Sequence, residues 1–240
     1  MTKRYDHVEV ERTNGVVELR LHTAGGPLVW SPSAHRELGH AFGDIADDAE
    51  VRTVILTGTG GSFCTEIDMA AFHAERVPWH VIWWEGRRLL QRLVDIDVPV
   101  IGVLNGPATV HAELLFLSDI VVASDTASVA DKVHFVSDVV PGDGVHLIWP
   151  HVLGPQRGKH FLLTGATLHA DELLQLGAVN ELWPASELHG RANEIARAFA
   201  ERSLSTLRYT RALLADPLRR LLHEGLSHGL AAEGATTTRG

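Results

Sequence analysis

Three nearly uninterrupted apolar runs constrain this chain most: residues 51–58 (VRTVILTG), 99–106 (PVIGVLNG) and 119–124 (DIVVAS). A strand with one face in water alternates apolar and polar side chains, whereas one apolar at successive positions must be covered on both faces. Stretches of helical period separate the runs. The long one, from about residue 78 to 94, carries Trp79, Ile82, Trp83, Leu89, Leu90 and Leu93. The pattern predicts an α/β protein with helices over a mostly parallel sheet. Ahead of it, Thr13-Asn14-Gly15 between two alternating segments predicts a hairpin. Ser31-Pro32 then opens a helix whose inward stripe is His35, Leu38, Phe42 and Ile45. From Gly144 onward the chain reads as helical, with one strand-like stretch at 178–182. No linker or repeat divides it. The expectation is one domain over residues 1–234, a core to about 190 followed by C-terminal helices, with 235–240 as a disordered tail.

The formal net charge of −9 disfavours nucleic acid and anionic membranes as partners, since both select a basic face. Cys64 is alone, so no internal disulfide can form, and its apolar context makes it a poor nucleophile. The charged start, Met1 to Asp6, has no apolar segment behind it, and no run reaches membrane-spanning length. The expectation is a soluble, cytoplasmic protein. Fifteen histidines raise the question of a metal. The nearest to a zinc helix motif is His223…His228, and a separation of five turns the two rings about 140° apart on a helix. No metal or other cofactor is expected.

Residues 133–146 (VHFVSDVVPGDGVH) carry the clearest local chemistry. An apolar run ends in a Pro-Gly-Asp-Gly turn, with His134 before it and Asp143 inside it. Folded back, Asp143 would accept the Nδ1–H of His134 and leave the other ring nitrogen as a base facing water. Equally, Asp143 caps the following helix and His134 is a satisfied core histidine. Locally, both readings stand. His35, facing inward near a helix start, belongs either to the core or to a pocket. No Gly-x-Ser-x-Gly elbow is present.

Residues 54–64, 98–107 and 118–123, with 161–165 and 176–181, resemble in order and spacing the crotonase (enoyl-CoA hydratase/isomerase) superfamily. The resemblance implies a spiral of ββα turns with C-terminal trimerisation helices, assembled as a homotrimer or a dimer of trimers. It also implies that two backbone N–H groups polarise a thioester carbonyl. Several departures bear on function. The glycine-rich donor run is replaced by Ala108-Thr109-Val110-His111-Ala112-Glu113, with His111 at a donor glycine. The first donor loop reads Thr65-Glu66-Ile67-Asp68. The two hydratase glutamates fall on Leu114 and His134.

These departures are similar to the β-diketone hydrolase branch typified by 6-oxocamphor hydrolase, which cleaves carbon–carbon bonds by a retro-Claisen reaction without CoA. Carried over position by position, its functional residues land on Trp30, His35, His111, His134, Asp143 and Glu233, all matching in type. The resemblance implies a small-molecule diketone substrate. His134 and Asp143 would activate water, with His111, Trp30 and His35 donating to the two carbonyl oxygens. Glu233 would position water or return a proton. The competing readings are a CoA-thioester hydrolase or lyase of the superfamily, and a binding scaffold that has lost its chemistry.

Overall fold

A computed structural model describes residues 4–237. Met1, Thr2 and Lys3 of the charged start, and Thr238, Arg239 and Gly240 of the expected tail, lie outside the described residues.

The hairpin is β1 (Val8–Thr13) and β2 (Val16–Leu21) in antiparallel register. Asn14 and Gly15 both take positive φ, 52° and 81°, the geometry that favours Asn-Gly at this turn. β3 (Leu28–Trp30) leads into α1 (Pro32–Ala46), where the Ser31 hydroxyl accepts the Ala34 N–H at 3.1 Å. There follow β4 (Thr53–Gly58), β5 (Cys64–Ile67), the short α2 (Met69–Glu75) and α3 (Trp79–Asp95). Then come β6 (Val100–Leu104), one turn of helix α4 (Glu113–Phe116), β7 (Ile120–Ser124) and β8 (Ser128–Val129). The last third is α5 (Val145–Leu153), α6 (Pro155–Thr164), β9 (Leu168–His169), α7 (Ala170–Gln175), β10 (Glu181–Trp183), α8 (Ala185–Ala200) and α9 (Leu204–Thr237).

The main sheet runs β1-β2-β4-β6-β7-β10, parallel from β2 to β10. Val16, Ile55, Ile101, Val103 and Val122 on one face pack on Leu188, Ala192 and Ile195 of α8. The other face meets the larger core with α1 and α3. Burial on both faces is the reason the strand sequences are continuously apolar. Two small sheets, β3–β5 and β8–β9, are joined through bridges of Ala108 to Cys64 and Val129. This second layer positions the site.

Two boundaries differ from expectation. The strand-like stretch at 178–182 pairs only from Glu181. Ahead of it, the Ala178 and Val179 N–H groups return to the Leu173 carbonyl, and the Asn180 side chain accepts the Val121 N–H. The tail expected from residue 235 is helical through Thr237. Thr236 secures it by accepting the Val140 N–H at 3.1 Å. Among the described residues, no helix is long and apolar enough to cross a membrane.

Candidate active site

A cavity of about 380 Å³ lies between β3, α1, α2, α3 and the end of α9. Trp30, His35, His111, His134, Asp143 and Glu233, scattered over six segments, all line it. Phe72, Trp79, Ile82, Val139 and Leu230 form its apolar part, and among the described residues no Lys or Arg reaches it. The polar end is therefore built of histidines, carboxyl groups and an indole rather than lysine or arginine.

The local sequence accounts for these placements. β3 ends at Trp30 and α1 begins at Pro32, so Trp30 and His35 flank one strand-to-helix turn with their rings in edge contact at 5.7 Å. His111 stacks on Trp30, centroids 3.7 Å apart. It does so from a backbone with φ +48°, a conformation that costs a non-glycine residue about 1–3 kcal/mol. His111 thus takes a left-handed geometry that glycine adopts freely and adds an imidazole to it. Leu114, at a hydratase glutamate position, is wholly buried in the core. The altered first donor loop is β5, paired with β3, and the Asp68 N–H is bonded to the Trp30 carbonyl.

The hydrogen bonding of His134 corrects the sequence expectation. Its Nδ1 faces Asp131, 2.9 Å from each carboxylate oxygen, and not Asp143. Asp131 also accepts the backbone N–H groups of Val133 and His134, so one carboxylate fixes both the loop and the ring. Asp143 lies on the other side, its Oδ2 3.3 Å from Nε2. The nitrogen expected to face water alone is thus shared with a carboxylate. The capping alternative survives only weakly, since Asp143 Oδ1 sits 3.5 Å from the Val145 N–H. Asp143 Oδ2 is also 3.6 Å from His111 Nδ1, which bonds Glu113 Oε1 at 2.7 Å. One carboxylate oxygen joins the two histidines.

The electrostatics follow. Burial alone would lower the pKa of His134, but Asp143 and Asp131 overcome it and raise it to about 12. Burial would raise that of Asp143, yet His134 and His111 hold it below the usual carboxylate range. Burial opposes charge on His111 too, and Glu113 with Asp143 outweighs it, shifting His111 upward. Glu233 goes the other way: burial, reinforced by Asp143, pushes it up to about 9. His35 is lowered, because burial exceeds the pull of Glu85. His134 is therefore held as a cation and His111 is shifted toward one, while His35 is kept a neutral ring and Glu233 a neutral acid. Cys64 is buried, and burial raises its thiol to about 12. Both agree with the expectation that it is a poor nucleophile.

The sequence reading missed three partners. Asp131 stands three residues before His134, a spacing that suits an aspartate-closed turn. Glu113 is two residues from His111. Glu85 pairs with His35 from α3 across fifty positions, and nothing local marks it. Folding also gathers His134, Asp143 and Glu233, and likewise His111, Glu113 and Asp143, with ligand-type atoms within 4.8 Å. The spacing argument against a metal does not reach this assembled set.

The family model for enoyl-CoA hydratase/isomerase matches residues 11–237. A β-diketone hydrolase from the cyanobacterium Anabaena, bound to (S)-3-oxocyclohexyl acetic acid, superposes with a TM-score of 0.95 at 43% identity, over 98% of this chain and 95% of that one. A carnitinyl-CoA dehydratase of Proteus mirabilis is 32% identical over 77% of this chain and 71% of its own length. An enoyl-CoA hydratase/isomerase from Mycobacterium paratuberculosis, 24% identical, covers 96% of this chain and 93% of its own with a TM-score of 0.88, sharing the fold. On its sequence match and its fold, the chain belongs to the enoyl-CoA hydratase/isomerase family of the crotonase superfamily.

Proposed function

We propose that this enzyme is a hydrolase acting on carbon–carbon bonds in ketonic substances, cleaving a cyclic β-diketone to a keto acid. The observation that carries the reading is the joining of His134 and His111 through Asp143 at the polar end of an apolar cavity. The similarity to a β-diketone hydrolase holding a cyclic keto acid supports it. So does Leu114, because a water-adding hydratase needs a carboxylate there.

Water attacks one carbonyl carbon and gives its proton to the His134–Asp143 pair at the Asp143 carboxylate, the member that can accept one while His134 stays protonated. The tetrahedral oxyanion collapses to the carboxylic acid as the carbon–carbon bond breaks, and the bonding pair leaves as the enolate of the second carbonyl. His111, with Nδ1 on Glu113, presents its other N–H to that enolate oxygen, and the indole N–H of Trp30, whose ring stacks on His111, is the second donor in this reading. Neutral Glu233 supplies a proton to carbon and regains one from the dyad. The atoms of one water enter the product.

A panel of non-enolisable cyclic diketones, incubated with chelator in ¹⁸O water and separately in D₂O, tests this by mass spectrometry. One ¹⁸O in the new carboxylate and one deuterium at the released carbon are expected. Failure across the panel, with turnover of an acyl-CoA, would overturn the reading in favour of a thioester hydrolase.

A further inference from the structure

Trp30 stands between two histidines, and each is held by a buried glutamate. His111 pairs with Glu113; His35 pairs with Glu85 of α3, Nδ1 to Oε2 at 3.2 Å, both side chains 8% exposed. A carboxylate on Nδ1 of a neutral imidazole holds the proton on that nitrogen and leaves a lone pair on Nε2. His35 lines the cavity, and its Nε2 lies beside Gly86 and Leu230, 3.4 Å from where a Cβ on Gly86 would stand. Burial and the neighbouring charge of His111 both act to keep this ring neutral. The donor role expected for His35 requires a proton on Nε2, so the pairing argues against it.

We propose that Glu85 is a positioning residue that fixes His35 in its Nδ1–H tautomer, making His35 a hydrogen-bond acceptor for the attacking water. The second half rests on the diketone hydrolase reading; the first does not. His111 donates to the developing enolate and the Asp143 carboxylate takes one proton of the attacking water, whose second hydrogen needs a neutral acceptor. His35 is built as one. Glu85 itself touches no substrate and acts through the ring.

Long-range ¹H–¹⁵N correlation spectra of histidine-labelled protein at pH 7 identify the protonated ring nitrogen. The expected result for the parent is a neutral His35 with Nδ1 protonated. Glu85→Leu should switch it to Nε2–H and lower kcat at least tenfold with little change in KM. Glu85→Gln, whose amide oxygen still accepts the Nδ1–H, should keep the tautomer and restore most of kcat. A parent His35 that is cationic or protonated on Nε2 overturns the proposal without any variant, as does Glu85→Leu retaining both tautomer and kcat. If no diketone is turned over, the hydrolase reading fails while the spectra still decide the tautomer.

Discussion

His134 between Asp131 and Asp143 is the residue on which the chemistry turns. His134→Ala should lower turnover by roughly 10²–10⁴-fold, the usual worth of acid–base catalysis, with a smaller change in KM; near-parent kcat in steady-state assays would remove it from the mechanism. Asp131→Asn should also cost roughly 10²-fold or more, because an amide removes one of the two charges that keep the His134 ring protonated and can turn an N–H toward Nδ1. A pH–rate profile checks this, and an unchanged profile would make Asp131 a loop residue only. Glu233 couples stability to pH. Its folded pKa, about 9, lies above the ordinary glutamate value. The stability this contributes is fully present below the unfolded pKa and is lost as pH rises through the folded one. Glu233→Gln should therefore leave Tm nearly unchanged at pH 5 and raise it at pH 8–9. Calorimetric scans at the two pH values decide it, and equal shifts would mean that Glu233 is not held neutral.

Helix α9 brings Glu233 to the cavity. Trp79 and Trp83, one turn apart on α3, donate their indole N–H groups to the Leu230 and Ser227 carbonyls of α9. On the opposite side Gly229 lets α9 approach the Pro-Gly-Asp-Gly turn so closely that a Cβ would overlap His146 and the Gly142 carbonyl. Gly229→Ala should therefore destabilise by about 1–3 kcal/mol through overpacking, even though alanine is the better helix former. Gly190→Ala, in α8 with nothing within 4 Å of the added Cβ, should stabilise by about 0.5–1 kcal/mol. Urea melts of both variants test the contrast; two stabilised proteins would mean that α9 is not held by this approach.

At the scale of the whole molecule, no lysine or arginine among the described residues lines the cavity to receive the phosphates of CoA. Saturating CoA should leave Tm within error, whereas a ligand at a hundred times its Kd would add about 2.7 kcal/mol; a clear upward shift in differential scanning fluorimetry would favour the thioester reading. Much of the fold was legible in the sequence because it follows from local period and punctuation. The apolar runs became β4, β6 and β7, Asn14-Gly15 the hairpin turn, and Ser31 the cap of α1. Where side-chain bonding intervened, at Asn180 and Thr236, local signals misplaced the boundaries. The six site residues were legible through family resemblance, and their identities survive as cavity-lining groups. Their protonation was not. Whether a histidine is base, acid or fixed cation depends on which carboxylates meet its two nitrogens, and on how little water remains there. Asp131 and Asp143 approach His134 from opposite sides, and Glu85 reaches His35 from another helix. Sequence by itself determined which side chains are present and which elements carry them. Tertiary structure decided their charges, because burial and through-space pairing act over a few ångströms between residues far apart in the chain.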